Sequence, residues 1–237
     1  MQVVNKIKLD LLKIKKGDKV LDIGCSFGEQ AMAIAREGAI VYGIDSSPRS
    51  IKEFKHKAKK DNLNCHAFVS EATRIPFKDN YFDAIIATEV FEHIPNAIKA
   101  INESFRVLVP QGRACISVPS SITEKIFMTI HPFWLQDSGH VNVFSKKEIL
   151  TLLKNAGFKI EKVEDLNFEW TLFWLIHSFL KTRFDSTGSP RENYKISDRY
   201  SKIWNYMFKI RIGKYLLWLG NKLLPKSYYV YVLKKNN

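Results

Sequence analysis

The feature that most constrains the fold is a short apolar run followed by a glycine-rich turn and a helical pattern. Residues 19–23 (KVLDI) predict a buried strand, residues 24–28 a tight turn, and residues 29–37 a helix that Gly38 ends. A second strand is predicted at residues 40–44. This order is typical of a nucleotide site, because glycine lets the backbone approach a ligand and a helix N-terminus offers unpaired N–H groups.

The remainder of the chain repeats this alternation of strands and helices. Strands alternating with helices predict an α/β fold with a largely parallel sheet and right-handed crossovers. A turn at residues 110–112 (PQG) is predicted to precede the fifth strand. The further predicted strands are residues 65–69, 82–87, 113–118, 158–163 and 228–233, and the further predicted helices are residues 4–14, 48–60, 95–107 and 145–156.

An acidic side chain ends the second predicted strand. Asp45 lies where a carboxylate can accept two hydrogen bonds from a ribose diol. Dinucleotide-binding folds share this arrangement, so the strand, turn, helix and acid do not by themselves separate NAD from another nucleotide cofactor.

The identity of the residues around the turn distinguishes between NAD and other nucleotide cofactors. Residues 20–28 (VLDIGCSFG) closely resemble motif I of the class I S-adenosyl-L-methionine (SAM)-dependent methyltransferases, usually written LDIGCGxG, with Ser26 at the family's second glycine. Asp22 has no required counterpart in the GxGxxG dinucleotide fingerprint, which favours SAM over NAD. Three further segments resemble the family in order and spacing, so that the resemblance covers about residues 17–120: EATRIPF at 71–77 with FD at 82–83, EVFEH at 89–93, and RVLVPQG at 106–112.

The resemblance implies a fold, a cofactor and a set of binding residues. The fold is a Rossmann-like seven-stranded sheet of order 3-2-1-4-5-7-6, with strand 7 antiparallel and SAM held at the N-terminal end of the sheet. In the family, the acid before the first glycine helps to orient the turn and the amino group of SAM. No metal is expected. The residues expected to bind the cofactor are Asp22, Gly24, Cys25, Ser26, Gly28, Asp45, Ser46, Glu71, Ala72, Thr73 and Glu89.

Two histidines are candidates for a catalytic base. Methyl transfer needs little covalent help, since the sulfonium is already electrophilic, but a hydroxyl or phenol acceptor benefits from a base that titrates near neutral pH. His93 follows the fourth strand, and His140 lies in GHVNVFS, which resembles a GHVxxFS segment of many family members. For each, a structural histidine held in a loop stays open as the alternative.

The last third of the chain has a different composition. Residues 166–237 carry 13 Lys/Arg against 4 Asp/Glu, and they hold four of the five tryptophans. We expect a SAM-binding domain at 1–165 plus 227–237, and a helical subdomain inserted between strands 6 and 7 at 166–226. Helices are predicted at 168–183 and 200–224, with a turn at 185–190. Such a subdomain can cap the acceptor pocket, can also contact an anionic membrane surface, or, less favoured, can bind nucleic acid.

The function predicted from these features is SAM-dependent methyl transfer to a small-molecule or lipid-linked acceptor, at oxygen or carbon. One alternative is an RNA methyltransferase, although residues 88–91 (TEVF) lack the N/D-P-P-Y/F tetrad of many amino-group modifiers. The other is a non-catalytic SAM-fold binding protein. Three unpatterned cysteines and no run of about 18 apolar residues predict a cytoplasmic protein, with the inner membrane face as a peripheral location.

Overall fold

The structure, a computed structural model, describes residues 7–175 and 211–235. Its seven strands form one sheet in the order β3-β2-β1-β4-β5-β7-β6, which confirms the expected order. The strands are β1 Lys19–Ile23, β2 Ile40–Asp45, β3 Cys65–Val69, β4 Phe82–Thr88, β5 Leu108–Pro119, β6 Phe158–Leu166 and β7 Ser227–Lys234.

Helices connect these strands and begin where the sequence supplies capping groups. The Ser47 hydroxyl accepts a hydrogen bond from the Ser50 N–H at 3.2 Å, and the Asn96 side-chain Oδ1 accepts one from the Lys99 N–H at 3.0 Å. A 3₁₀ turn follows β4. The helices are α1 Leu9–Leu12, α2 Glu29–Arg36, α3 Pro48–Lys60, α4 Ala97–Val107, α5 Ser121–Ile130, α6 Trp134–Ser138, α7 Lys146–Asn155 and α8 Arg211–Leu223; residues 168–175 are also helical.

The direction of the strands follows from their pairing. Strands β1 to β5 pair in parallel, with Leu21 of β1 opposite Tyr42 of β2 and Ile85 of β4. Strand β7 is antiparallel. Accordingly, the Lys234 ammonium group at the end of β7 donates to the Leu108 carbonyl at the start of β5 at 2.8 Å. The central strands are buried on both faces, which explains their continuous apolar sequences.

Three local expectations differ from the structure. Residues 110–112 lie within β5, where the register slips between Phe82 and Ala84 of β4 and Gln111 takes a φ of 63°, so the predicted turn is a bulge. The leading helix is only one turn long in the described residues. Helices α5 and α6 were not predicted. The predicted turn at 185–190 lies outside the described residues.

Contacts divide the described residues into two compact units. The large unit contains residues 7–118, 147–163 and 229–235, and the small unit contains residues 119–146, 164–175 and 211–228. Residues 119–146 thus group with the predicted insertion, not with the predicted SAM domain. The reason is tertiary: the Ser120 N–H donates to the Lys226 carbonyl at 2.8 Å, and the Trp134 and Trp174 rings lie 5.5 Å apart. Within the described part of the chain, no helix is long and apolar enough to span a membrane.

Candidate active site

A cleft of about 660 Å³ opens in the large unit at the carboxyl ends of the first four strands. This volume suits a nucleotide-sized ligand. The expectation that the cofactor is held at the N-terminal end of the sheet was therefore wrong. The residues that line the cleft follow the carboxyl ends of the strands, as in other open α/β sheets. The lining residues are Ile23, Gly24, Ile44, Asp45, Ser46, Ser70, Glu71, Ala72, Thr73, Glu89, Val90, His93, Ile94, Pro95 and Asn96.

The turn after β1 depends on two glycines. Gly24 has a φ of 69°, and a Cβ atom there would collide with the Val90 side chain. Gly28 has a φ of 77°, and a Cβ atom there would overlap the Phe54 ring. Ser26, at the position where the family has glycine, also adopts the left-handed conformation, with a φ of 46°. Three residues of this turn therefore have a left-handed backbone, and at Ser26 a residue with a side chain carries the strain.

Asp45 is held in place by backbone donors. Its Oδ2 accepts a hydrogen bond from the Ser26 N–H at 2.9 Å, and its Oδ1 accepts one from the Ser47 N–H at 2.8 Å. Each carboxylate oxygen can accept more than one hydrogen bond. The carboxylate therefore keeps acceptor capacity toward the cleft while its direction is fixed.

Asp22 lies beneath the turn and is only 2% exposed. Burial and, to a smaller extent, the nearby charge of Asp45 together raise the pKa of Asp22 to about 7, although a hydrogen bond from the Ala31 backbone opposes the rise. Its buried Oδ2 has no hydrogen-bond partner among the described residues. A cation close to this oxygen would stabilise the ionised form.

The other walls of the cleft come from the loops after β3 and β4. Glu71, Ala72, Thr73 and Glu89 line it as expected, and the Thr73 hydroxyl donates to Glu71 at 3.2 Å. Glu89 takes a φ of 53° directly after β4, a strained conformation typical of functional sites. Sequence analysis did not single out Ser70 or residues 94–96. Their only signal was their position, just after the predicted third strand for Ser70 and at the start of the predicted helix for residues 94–96.

His93 lines the cleft with a side chain that is 43% exposed, and its Nε2 lies 4.0 Å from a carboxylate oxygen of the buried Glu92. Asp22, Cys25, Ser26 and Gly28 shape the turn but are not among the lining residues. Burial raises the pKa of the Cys25 thiol above its ordinary value, as do the charges of Asp22 and Asp45, so Cys25 is a neutral packing group.

His140 belongs to the small unit, where it contacts a buried carboxylate. Its Nδ1 lies 2.9 Å from Glu124 Oε2, the same oxygen that accepts a hydrogen bond from Trp134 Nε1 at 2.8 Å. Burial opposes ionisation of Glu124, but the hydrogen bond with His140, the charge of Lys226 and the Trp134 hydrogen bond outweigh it and lower the pKa of Glu124. An ionised Glu124 favours the proton of His140 on Nδ1.

Known proteins match this chain by sequence. Residues 21–116 match a family model described as a methyltransferase domain. A 24-methylenesterol C-methyltransferase of Arabidopsis thaliana is 30% identical over 68% of this chain and 47% of its own length. A 27-O-demethylrifamycin SV methyltransferase of Amycolatopsis mediterranei is 28% identical over 66% of this chain and 60% of its own length. The chain thus spans about half the length of the curated relatives it matches.

Solved structures match more of the chain but with lower identity. A proposed sarcosine dimethylglycine methyltransferase from Galdieria sulphuraria superposes with a TM-score of 0.68 and 19% identity, and covers 96% of this chain and 83% of its own. At this identity the likeness establishes the fold alone.

Proposed function

We propose that this chain, which belongs to the class I SAM-dependent methyltransferase family, transfers a methyl group from SAM to a small-molecule acceptor. The observation that carries the proposal is the Asp45 carboxylate, which the Ser26 and Ser47 backbone N–H groups fix at the edge of a nucleotide-sized cleft. The match to a methyltransferase family model supports SAM as the cofactor. The fixed direction of the Asp45 carboxylate supports a binding site for the ribose of SAM.

The residues of the cleft fit SAM. Asp45 can accept hydrogen bonds from both ribose hydroxyls, and Glu71, Ala72 and Thr73 line the wall where the family holds the adenine. The buried Asp22 Oδ2, which lacks a hydrogen-bond partner among the described residues, suits the positive charge of the amino group. When bound, SAM supplies an electrophilic methyl group on a sulfonium.

The protein's own contribution is to position the acceptor, exclude water and accept a proton. His93 is our candidate base, because it lines the cleft and its exposed imidazole can take the proton of a hydroxyl acceptor. His140 remains a second candidate, with Glu124 fixing its tautomer. A carbon acceptor would need such a base for the proton that leaves the methylated carbon.

We infer that the acceptor is an apolar or lipid-linked small molecule, methylated at oxygen or carbon. This is supported by relatives whose names give a sterol and a rifamycin as the molecule modified. It is also supported by apolar side chains on the cleft wall, including Val90, Ile94 and Pro95.

The test is a radiolabelled methyl transfer assay with purified protein and panels of quinols, sterols, macrolactams and RNA. We expect label on one small-molecule class, with turnover lost in Asp45→Asn and reduced in His93→Gln. Exclusive labelling of RNA would overturn the small-molecule proposal in favour of an RNA methyltransferase. SAM binding without label on any class would favour a non-catalytic binding protein.

A further inference from the structure

The exposed apolar side chains of the protein are concentrated in the small unit. Eleven large apolar side chains are exposed in the described part of the chain, and eight of them lie in the small unit. Single exposed apolar residues are normal on a soluble protein, whereas several on one element indicate a contact surface. Four of the eight are on one helix, α8: Tyr215, Leu216, Trp218 and Leu223.

Among the described residues, one side of helix α8 contacts the segment 167–171 of the small unit. Gly220 lies so close to Phe168 that a Cβ atom would overlap its ring. The Asn221 side-chain oxygen accepts a hydrogen bond from the Phe168 N–H at 2.8 Å, and the Leu224 carbonyl just beyond the helix accepts one from the Thr171 hydroxyl at 3.1 Å. At about 100° per residue these three positions share one arc of the helix.

The exposed remainder of the helix surface combines cations with aromatic rings. Lys214, Trp218 and Lys222 follow each other at four-residue spacing, and all three are exposed. The Lys222 ammonium group lies 5.4 Å from the Trp218 ring centroid, and the Tyr215 and Trp218 rings are 5.8 Å apart. The helix contains no Asp or Glu. Its outward face is therefore apolar, aromatic and purely cationic.

We propose that the outward face of α8, defined as Lys214, Tyr215, Leu216, Trp218, Lys222 and Leu223, docks the protein on an anionic lipid bilayer. Tryptophan and tyrosine prefer the headgroup level, and lysine stems reach along apolar surface while their ammonium groups contact lipid phosphates. The cationic character favours anionic over neutral lipid. The docking surface is independent of the proposed methyl transfer, since it lies on a different unit from the cleft.

Two substitutions with matched controls test the surface on the full-length chain. Lys214→Glu with Lys222→Glu reverses two cations eight residues apart on α8, and Lys52→Glu with Lys60→Glu does the same on the exposed face of α3. Trp218→Ser removes a side chain that is 56% exposed, and Ile98→Ser removes one that is 58% exposed on α4 of the large unit. Circular dichroism and S-adenosylhomocysteine binding confirm that each variant is folded.

The measurement is flotation with vesicles of phosphatidylcholine, with or without about one third phosphatidylglycerol. We expect the wild type to float with the anionic vesicles only, and the two α8 variants to partition about ten-fold or more weakly. Each lysine near an anionic surface contributes about 1 kcal/mol, and Trp218→Ser removes a ring that prefers the headgroup level. Both control variants should float as the wild type does.

Three outcomes would overturn the proposal. One is failure of the wild type to float with anionic vesicles. Another is equal loss of flotation in the α3 variant, since net charge and not α8 would then account for the binding. The last is binding of the wild type to single-stranded RNA in fluorescence anisotropy, lost in the α8 variants, without vesicle binding, because the surface would then recognise nucleic acid.

Discussion

At the scale of single residues, the charge state of Asp22 connects burial to cofactor binding. Its pKa of about 7 in the protein without cofactor means that the carboxyl group is largely protonated at pH 6 and largely ionised at pH 8. The ammonium group of SAM or S-adenosylhomocysteine favours the ionised form. Binding therefore releases a proton below pH 7, and the affinity must rise with pH in that range.

The prediction is that S-adenosylhomocysteine binds the wild type about ten-fold more tightly at pH 8 than at pH 6, because protonation of Asp22 competes with binding at the lower pH. In Asp22→Asn the affinity should be lower and nearly independent of pH over the same range. Calorimetric titration at both pH values measures this. A wild-type affinity that does not change with pH would show that the ionisation of Asp22 is not coupled to the binding of S-adenosylhomocysteine.

The raised pKa of Asp22 also affects stability. Because the folded-state pKa lies above the ordinary value of 3.8, the unfolded chain loses its proton first as the pH rises. This residue therefore makes the free energy of unfolding fall between about pH 4 and pH 7, with little further change above pH 7.

Gly28 gives a second prediction at this scale. Gly28→Ala combines a positive φ with an overlap on Phe54, whereas Gly17→Ala has a φ of 88° and no atom within 4 Å of the new Cβ. We expect Gly17→Ala to lower the free energy of unfolding by about 1 kcal/mol through backbone strain alone, and Gly28→Ala by about 3 kcal/mol. Urea unfolding measures both. Equal losses would mean that Phe54 moves aside without cost.

At the scale of secondary-structure elements, two clamps join distant segments of the large unit, and the first of them acts next to the cleft. In the first, the Arg106 guanidinium on α4 donates to the Phe77 and Ile75 carbonyls at 2.8 and 3.0 Å, and it pairs with Glu103 and Asp79. The hydrogen bond and charge of Arg106 lower the pKa of Glu103 despite partial burial. The clamp holds the loop that follows residues 71–73 of the cleft.

Arg106→Ala should therefore weaken S-adenosylhomocysteine binding by about ten-fold and lower the free energy of unfolding by about 1–3 kcal/mol, because two carbonyls lose their charged donor. Arg74→Ala is the control, since Arg74 is exposed in the same loop. Calorimetry and urea unfolding separate the two effects. Unchanged affinity in a destabilised Arg106→Ala variant would make the clamp purely structural.

The second clamp joins the end of β7 to the end of α4. The buried Lys234 ammonium group donates at 2.8 Å to the carbonyls of Phe105 and Leu108 and to the Asn80 side chain. Burial lowers the pKa of Lys234 and nearby Arg106 adds to this, while Asp79 opposes it.

Lys234→Met keeps the aliphatic stem and removes the donor, so we expect the free energy of unfolding to fall by about 2 kcal/mol. The adjacent and exposed Lys235→Met should change it by less than about 0.5 kcal/mol. Thermal unfolding monitored by circular dichroism measures both. Similar midpoints for the two variants would contradict the clamp.

At the scale of the whole molecule, the central strands were predicted because they are short apolar runs, and the strand order was predicted from the family resemblance. The sequence predicted that Gly24, Asp45 and Ser46 belong to one site, and they line the cleft, because motif and strand end coincide in the sequence. The bonds that join distant segments were not predictable, since nothing local marks the contact of Glu124 with His140 or of Lys234 with α4. Local pattern also gave no reason to group residues 119–146 with the insertion.

The proposed methyl transfer depends on SAM binding beside Asp45, and one titration tests this binding most directly. We predict that purified protein binds S-adenosylhomocysteine in calorimetry at one site with micromolar affinity, and that NAD gives no heat of binding. Asp45→Asn should abolish binding, because it replaces one of the two acceptor oxygens with an NH2 donor and removes the negative charge that faces the ribose hydroxyls. Asp83→Asn should leave it intact, because the Asp83 carboxylate accepts a hydrogen bond from the Lys19 N–H at the start of β1. Absence of S-adenosylhomocysteine binding in the folded wild type, or equal binding of NAD, would contradict the account.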